Sequence, residues 1–134
     1  MIVALRIFFA VVLVSMLTVT SWAGRQVPLW QIPRSVGGHP WFIATLFDTY
    51  WGFLTFYVWQ WYREPAWVSR LLWFLAIVLL GNIAMSSYGL MVVSRLSRDA
   101  KPEQLLLRGE PVSPVLPAAL LAAFGAICAI ASAF

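Results

Sequence analysis

Asp48 is the residue of this chain whose setting most suggests chemistry. It lies in the stretch 39–62, HPWFIATLFDTYWGFLTFYVWQWY, which is apolar and aromatic almost throughout. A carboxylate inside a membrane-crossing helix costs roughly 2.5–3.5 kcal/mol at the bilayer centre, so it is usually kept for a partner or a task. Asp48 therefore reads in two ways. It is a proton- or cation-binding group, or it is a structural carboxyl that hydrogen-bonds Ser87, Tyr88 or backbone and pins two helices together. A third use, acid–base work with Tyr50 or Tyr88 on a lipid or isoprenoid substrate, has no further residue to support it.

Other reactive residue types are scarce. The single histidine, His39, and the single cysteine, Cys128, leave no room in one chain for a bis-histidine haem, a Cys/His zinc site or a disulfide. No metal site and no catalytic constellation is legible. His39 beside Pro40 reads as a headgroup contact, with ligation of a pigment magnesium as the rival. No cofactor is encoded, which leaves a bound lipid or pigment as the candidates. The pair Arg63 and Glu64 reads as an exposed turn contact worth little.

The elements that must position Asp48 follow from composition. Of 134 residues, 62% are hydrophobic and 10% charged, against about 25% charged in soluble domains. Too few charges remain for a water-facing shell, so the expected solvent is lipid. The expected fold is an all-α bundle of four transmembrane helices, spanning about 2–23, 41–62, 68–95 and 117–134, in a single integral membrane domain. Residues 2–23 have a rival reading as a signal peptide ending at Ser21-Trp22-Ala23. Connectors 24–40 and 96–116 are expected to lie at the interface, since Pro28, Pro33, Pro40 and Gly37-Gly38 forbid one continuous helix in the first of them.

Trp30, Arg34, His39, Trp41, Trp59, Trp61 and Trp67 are expected to contact lipid at the two interfaces, where amphipathic rings and cations settle. In the second span Thr45, Asp48, Gly52, Thr55 and Trp59 share one face at three- and four-residue spacing. In the third, Asn82, Ser86, Ser87 and Tyr88 supply hydroxyl and amide groups. Counting inward from Trp41 and from Arg95 sets Asp48 level with Ser86–Tyr88, and Thr55 level with Gly81 or Asn82. Gly125, Ala129 and Ala133 recur every fourth residue, a small-residue face for helix packing.

The net charge of +4 reads as an orientation signal, since no basic run with interleaved aromatics suggests nucleic acid. With four spans, six cations fall on the side of the two connectors and three on the side of the termini, so both termini are expected outside. The expected location is the bacterial inner membrane.

The pattern HPWFxATLxDxYxG, then WYREPAW and LLLRGEP, resembles an uncharacterised domain-of-unknown-function family of small multi-pass membrane proteins of bacteria and plants. Pro40, Trp41, Phe42, Ala44, Thr45, Leu46, Asp48, Tyr50, Glu64 and Trp67 carry the resemblance, with Leu106, Leu107 and Arg108 as a further short pattern. The resemblance implies membrane residence and no established activity, so it assigns no catalytic role. The function expected is that of an accessory or scaffold subunit, in a complex with other membrane proteins or with itself. The runner-up is a small transporter or binder of a lipid, quinone or amphipathic cation that uses Asp48.

Overall fold

The structure, a computed structural model, describes residues 1–27, 31–106 and 112–132. Trp30, Leu107, Arg108 and Ala133 lie outside the described residues. The described elements are α1 (Ile2–Gln26), α2 (Arg34–Gly37), α3 (Pro40–Arg63), α4 (Trp67–Leu80), α5 (Asn82–Ser94), a 3-10 turn (Pro102–Leu105) and α6 (Val115–Ser132). The all-α expectation holds. Among the described residues one helix, α1, is long and apolar enough to cross a membrane, with a mean hydropathy of 2.6 and almost none of it buried. At 24 residues, α3 is nearly as long, but its Trp, Tyr, Thr and Asp residues lower its hydropathy.

The continuous span expected over 68–95 is corrected: it is two short helices folded against each other. The break is Gly81, at φ 53° and ψ −125°, a backbone region closed to residues with a Cβ. The ring of Phe53 also occupies the space, since a Cβ on Gly81 would lie 2.5 Å from its Cζ. Beyond this corner the chain doubles back. Trp73 and Tyr88 meet with ring centroids 5.0 Å apart, although fifteen residues of straight helix would separate them by about 22 Å. Helices α4 and α5 thus form a hairpin with Gly81 at its tip. The tip stands level with Phe53, ten residues or about 15 Å along α3 from Arg63.

Six chain segments gather at the open end of this hairpin. Arg6, near the start of α1, donates from Nε to Val93 O (3.1 Å) and from Nη2 to Ser94 O (3.3 Å) and Leu96 O (2.5 Å). Val93 and Ser94 end α5, where a guanidinium suits the helix dipole. Phe9 lies over Gly89, where a Cβ would come within 2.5 Å of its ring, so α1 packs closely and antiparallel on α5. The end of α3 meets the start of α4 through Tyr57 and Phe74 (4.9 Å) and Trp61 and Trp67 (5.3 Å). Val112 and Pro117, on either side of the start of α6, are buried in the same place.

The core is confined to this end. Trp73, Ala76, Ile77, Ala84, Tyr88, Val92 and Val112 form it, with Phe53, Phe56, Trp59, Leu116, Leu120 and Leu121 packed around. The far halves of the long helices have little to pack on. From residue 17 onward every residue of α1 is exposed, and nearly every residue of α3 from 40 to 52 is exposed too.

Candidate functional site

The α3–α4 corner carries the densest set of polar contacts. Pro65 prevents α3 from continuing, and Glu64 leaves the helix in extended conformation with its N–H donating to Gln60 O (2.9 Å). This turns the Glu64 side chain inward, where it is 1% exposed. Its Oε2 accepts the N–H of Val112 at 3.0 Å. Ser69, one turn into α4, donates its hydroxyl to the carbonyl of the same Val112 at 3.1 Å. Both backbone groups of one connector residue are thereby held by side chains from the corner.

The 3-10 turn is fastened from α3. Arg63 Nη1 donates to Gln104 O (3.0 Å) and Leu105 O (2.9 Å), and Trp59 Nε1 donates to Leu105 O (3.3 Å). Arg70 braces the corner by donating from Nε to Glu64 O (2.6 Å), while its guanidinium stacks 4.4 Å over the Trp61 ring. Burial pushes the Glu64 carboxyl above the ordinary carboxylate range. The Val112 and Ala66 amides, the Ser69 hydroxyl and the Arg95 guanidinium oppose that rise without cancelling it.

Deeper in, Tyr88 is fully buried among Phe56, Trp59 and Trp73, with centroids 6.2, 5.7 and 5.0 Å away, all edge-on. Gln60 and Trp73 are also fully buried. Among the described residues, the Tyr88 hydroxyl, Trp73 Nε1 and both amide atoms of Gln60 make no hydrogen bond. Among the described residues no group of three or more His, Cys, Asp or Glu converges to hold a metal.

The residues singled out from sequence fall in different places. Asp48 is exposed on α3 and has no hydrogen bond or ion pair among the described residues. Its expected pairing with Ser86–Tyr88 is corrected, because the hairpin carries Tyr88 back to the level of Phe56 and Trp59. Ser86 and Ser87 are buried and bond their own helix, at Asn82 O (2.5 Å) and Ile83 O (2.7 Å). Thr45 and Thr55 likewise donate one turn back, to Trp41 O and Trp51 O, and are exposed. It is Phe53 that meets Gly81. Thr55 and Asn82 both face outward. Arg34, His39, Trp41, Trp61 and Trp67 are exposed, whereas Trp59 is half-buried and holds the connector. Gly125 has open space around its Cα, and Ala129 is exposed.

The exposed turn expected at Arg63-Glu64 is corrected, since both residues are buried. Gln60 and Trp73 drew no notice from sequence. The available signal was the concentration of aromatics around a Glu-Pro pair, together with the second pattern, LLLRGEP. Its first residue, Leu105, docks on Arg63 and Trp59 of the first pattern's helix.

A shallow concavity of about 450 Å³ runs along another face of α3, lined by Leu46, Phe47, Tyr50, Trp51 and Leu54. No curated protein and no solved structure is significantly similar to the chain. A family model does match, over residues 2–113, and so takes in α1 to α5 and the clasp on Val112 but stops short of α6. The chain belongs to that family, described as Protein of unknown function (DUF1475).

Proposed function

We propose that this chain is a small integral membrane protein serving as an accessory or scaffold subunit, docked through its long helices to other membrane subunits or to its own copies. The observation that carries this reading is the stripe Thr45, Asp48, Gly52 and Thr55. All four are exposed on one face of α3, and nothing lies within 4 Å of where a Cβ on Gly52 would be. A carboxylate two turns inside an apolar helix is not left facing lipid. Small and hydroxylated neighbours let a second helix approach and hydrogen-bond it. Much of α1 and α6 is likewise bare of contacts beyond the core.

In this reading α1, α3 and α6 cross the bilayer, and the α4–α5 hairpin enters and leaves on one side with Gly81 near mid-depth. Non-helical backbone at that depth is tolerated when protein covers it, as Phe53 covers Gly81. Three crossings put the termini on opposite sides. Arg6, Arg63, Arg70, Arg95, Arg98 and Lys101 then stand at the hairpin's open end, and Arg25 and Arg34 at the other. Among the described residues, six cations against two favour the open end, with the N-terminus, as cytoplasmic. The membrane in question is the bacterial cytoplasmic membrane.

The concavity on α3 supports a second reading, binding of a lipid tail or a flat amphipathic molecule between Phe47 and Trp51, with Asp48 beside it for a cationic group. Mild extraction followed by native mass spectrometry separates the two. A stoichiometric assembly that Gly52→Leu dissolves supports the subunit reading. A monomer that retains a small molecule, and loses it in Trp51→Ala, supports the binder.

A further inference from the structure

Arg70 differs from the other cations of the open end in being held in place with most of its donors unused. It is half-buried. Its Nε–H is taken by Glu64 O (2.6 Å), and one face of its guanidinium lies on the Trp61 ring (4.4 Å). Trp61 in turn makes edge contacts with Tyr57 (5.9 Å) and Trp67 (5.3 Å), and the Tyr57 hydroxyl donates to Arg70 O (3.3 Å). Among the described residues Nη1 and Nη2 of Arg70 make no hydrogen bond. They carry four of the five guanidinium N–H donors, in the planar fork that fits two oxygens of a phosphate. Because the side chain is already ordered, engaging an anion costs it little further entropy.

The surface that adjoins the fork decides which phosphate it takes. Phe47, Trp51, Leu54, Val58 and Trp61 recur at steps of four and three residues, so they share one face of α3, and all five are exposed. The concavity of about 450 Å³ occupies the far end of this face, from Leu46 to Leu54. Trp51 lies ten residues before Trp61, about 15 Å along the helix, which is half of the roughly 30 Å hydrocarbon thickness of a bilayer. A phosphate carrying one leaflet's length of hydrocarbon fits both ends, and that molecule is a phospholipid. The charge around Arg70 selects the headgroup. Among the described residues, the six cations at this end stand against three carboxylates, Glu64, Asp99 and Glu103, and Glu64 is turned inward. Such a field attracts a headgroup with net negative charge and repels a terminal ammonium.

We propose that Arg70 holds the phosphate of an anionic phospholipid, whose acyl chain runs along α3 over Trp61, Val58 and Leu54 and ends in the concavity at Trp51. The lipid enters sideways from the bilayer, since every residue of its path is exposed. The site rests on the membrane placement given above, with the hairpin's open end at a membrane surface, and does not depend on whether the chain is a subunit.

The test places the full chain in nanodiscs of equal parts dioleoyl phosphatidylglycerol and dioleoyl phosphatidylcholine, and counts the lipids it retains on release by native mass spectrometry. The parent should leave with one phosphatidylglycerol in preference to phosphatidylcholine. Arg70→Gln removes the fork and should lower that preference roughly 10-fold or more, the effect of losing a hydrogen bond to a charged group. Val58→Trp fills the chain path at an exposed position outside the core, so it keeps the fold even where Arg70→Gln does not, and should reduce retention of both lipids. Equal retention of the two lipids by the parent, a folded Arg70→Gln that keeps the parent's preference, or retention that Val58→Trp leaves unchanged would overturn the site while the membrane placement stands. A chain that stays in solution without detergent or discs would overturn the placement and the proposal with it.

Discussion

The Glu64 carboxylate accepts the backbone N–H of Val112 across 48 residues of sequence, at 3.0 Å and out of contact with solvent. This bond joins the α3–α4 corner to the segment that leads into α6. Ser69 completes it by holding the Val112 carbonyl. Removing the carboxyl leaves a buried N–H without an acceptor.

Glu64→Ala is expected to cost about 2–4 kcal/mol, combining a lost charge-assisted hydrogen bond with an unpaired amide. The connector should loosen before the bundle does. Limited trypsin digestion is then expected to cut after Arg98 in the variant well before it cuts the parent. Equal digestion of the two proteins would contradict the clasp.

The pH response follows from the same burial. The folded protein holds the Glu64 carboxyl above its ordinary value of 4.5, so the fold binds that proton more tightly than the unfolded chain does. The stability this provides is complete below the unfolded value and is lost as pH rises through the folded one. Unfolding of the parent and of Glu64→Gln, compared from acid to neutral pH, should therefore show the parent weakening relative to the variant as pH increases. A parent that gains on the variant over that range would mean that the amide and guanidinium contacts outweigh burial.

Gly81 sets the reversal of the chain. Gly81→Ala must either adopt a positive φ closed to alanine or push its Cβ into the Phe53 ring. The expected loss is about 2 kcal/mol or more. The companion variant Gly81→Ala with Phe53→Ala clears the clash and leaves the backbone strain, so it should recover only part of that loss. Chemical unfolding in detergent measures both, and a neutral Gly81→Ala would contradict the hairpin.

Much of this architecture is legible in the sequence. The apolar runs place α1, α3 and α6 to within a few residues, because helix length and hydropathy are properties of local stretches. The hairpin was not legible. Residues 68–95 are apolar enough to read as one span, and the decisive fact is the backbone angle of one glycine, which also occurs in straight membrane helices. That single corner moved Tyr88 away from Asp48 and towards Trp73. The buried centre was hidden for a related reason. Arg63 and Glu64 beside a proline look like a surface turn, and only the return of the chain from Leu105 to Val112 covers them. Asp48 stood out because a charge in an apolar run is conspicuous, whereas the buried Gln60 lies in a run of aromatics that disguises it.

The proposed half-depth placement of the hairpin is tested most directly by mapping which side of the membrane each segment faces. Single cysteines at Ser97, Ser35 and Ser113 and at the two termini, in a Cys128→Ala background, would be labelled from one face of sealed vesicles at a time. The N-terminus, Ser97 and Ser113 should label together from the cytoplasmic side, and Ser35 and the C-terminus together from the other. Both termini labelling from the same side would contradict the hairpin and restore a chain that crosses the membrane four times.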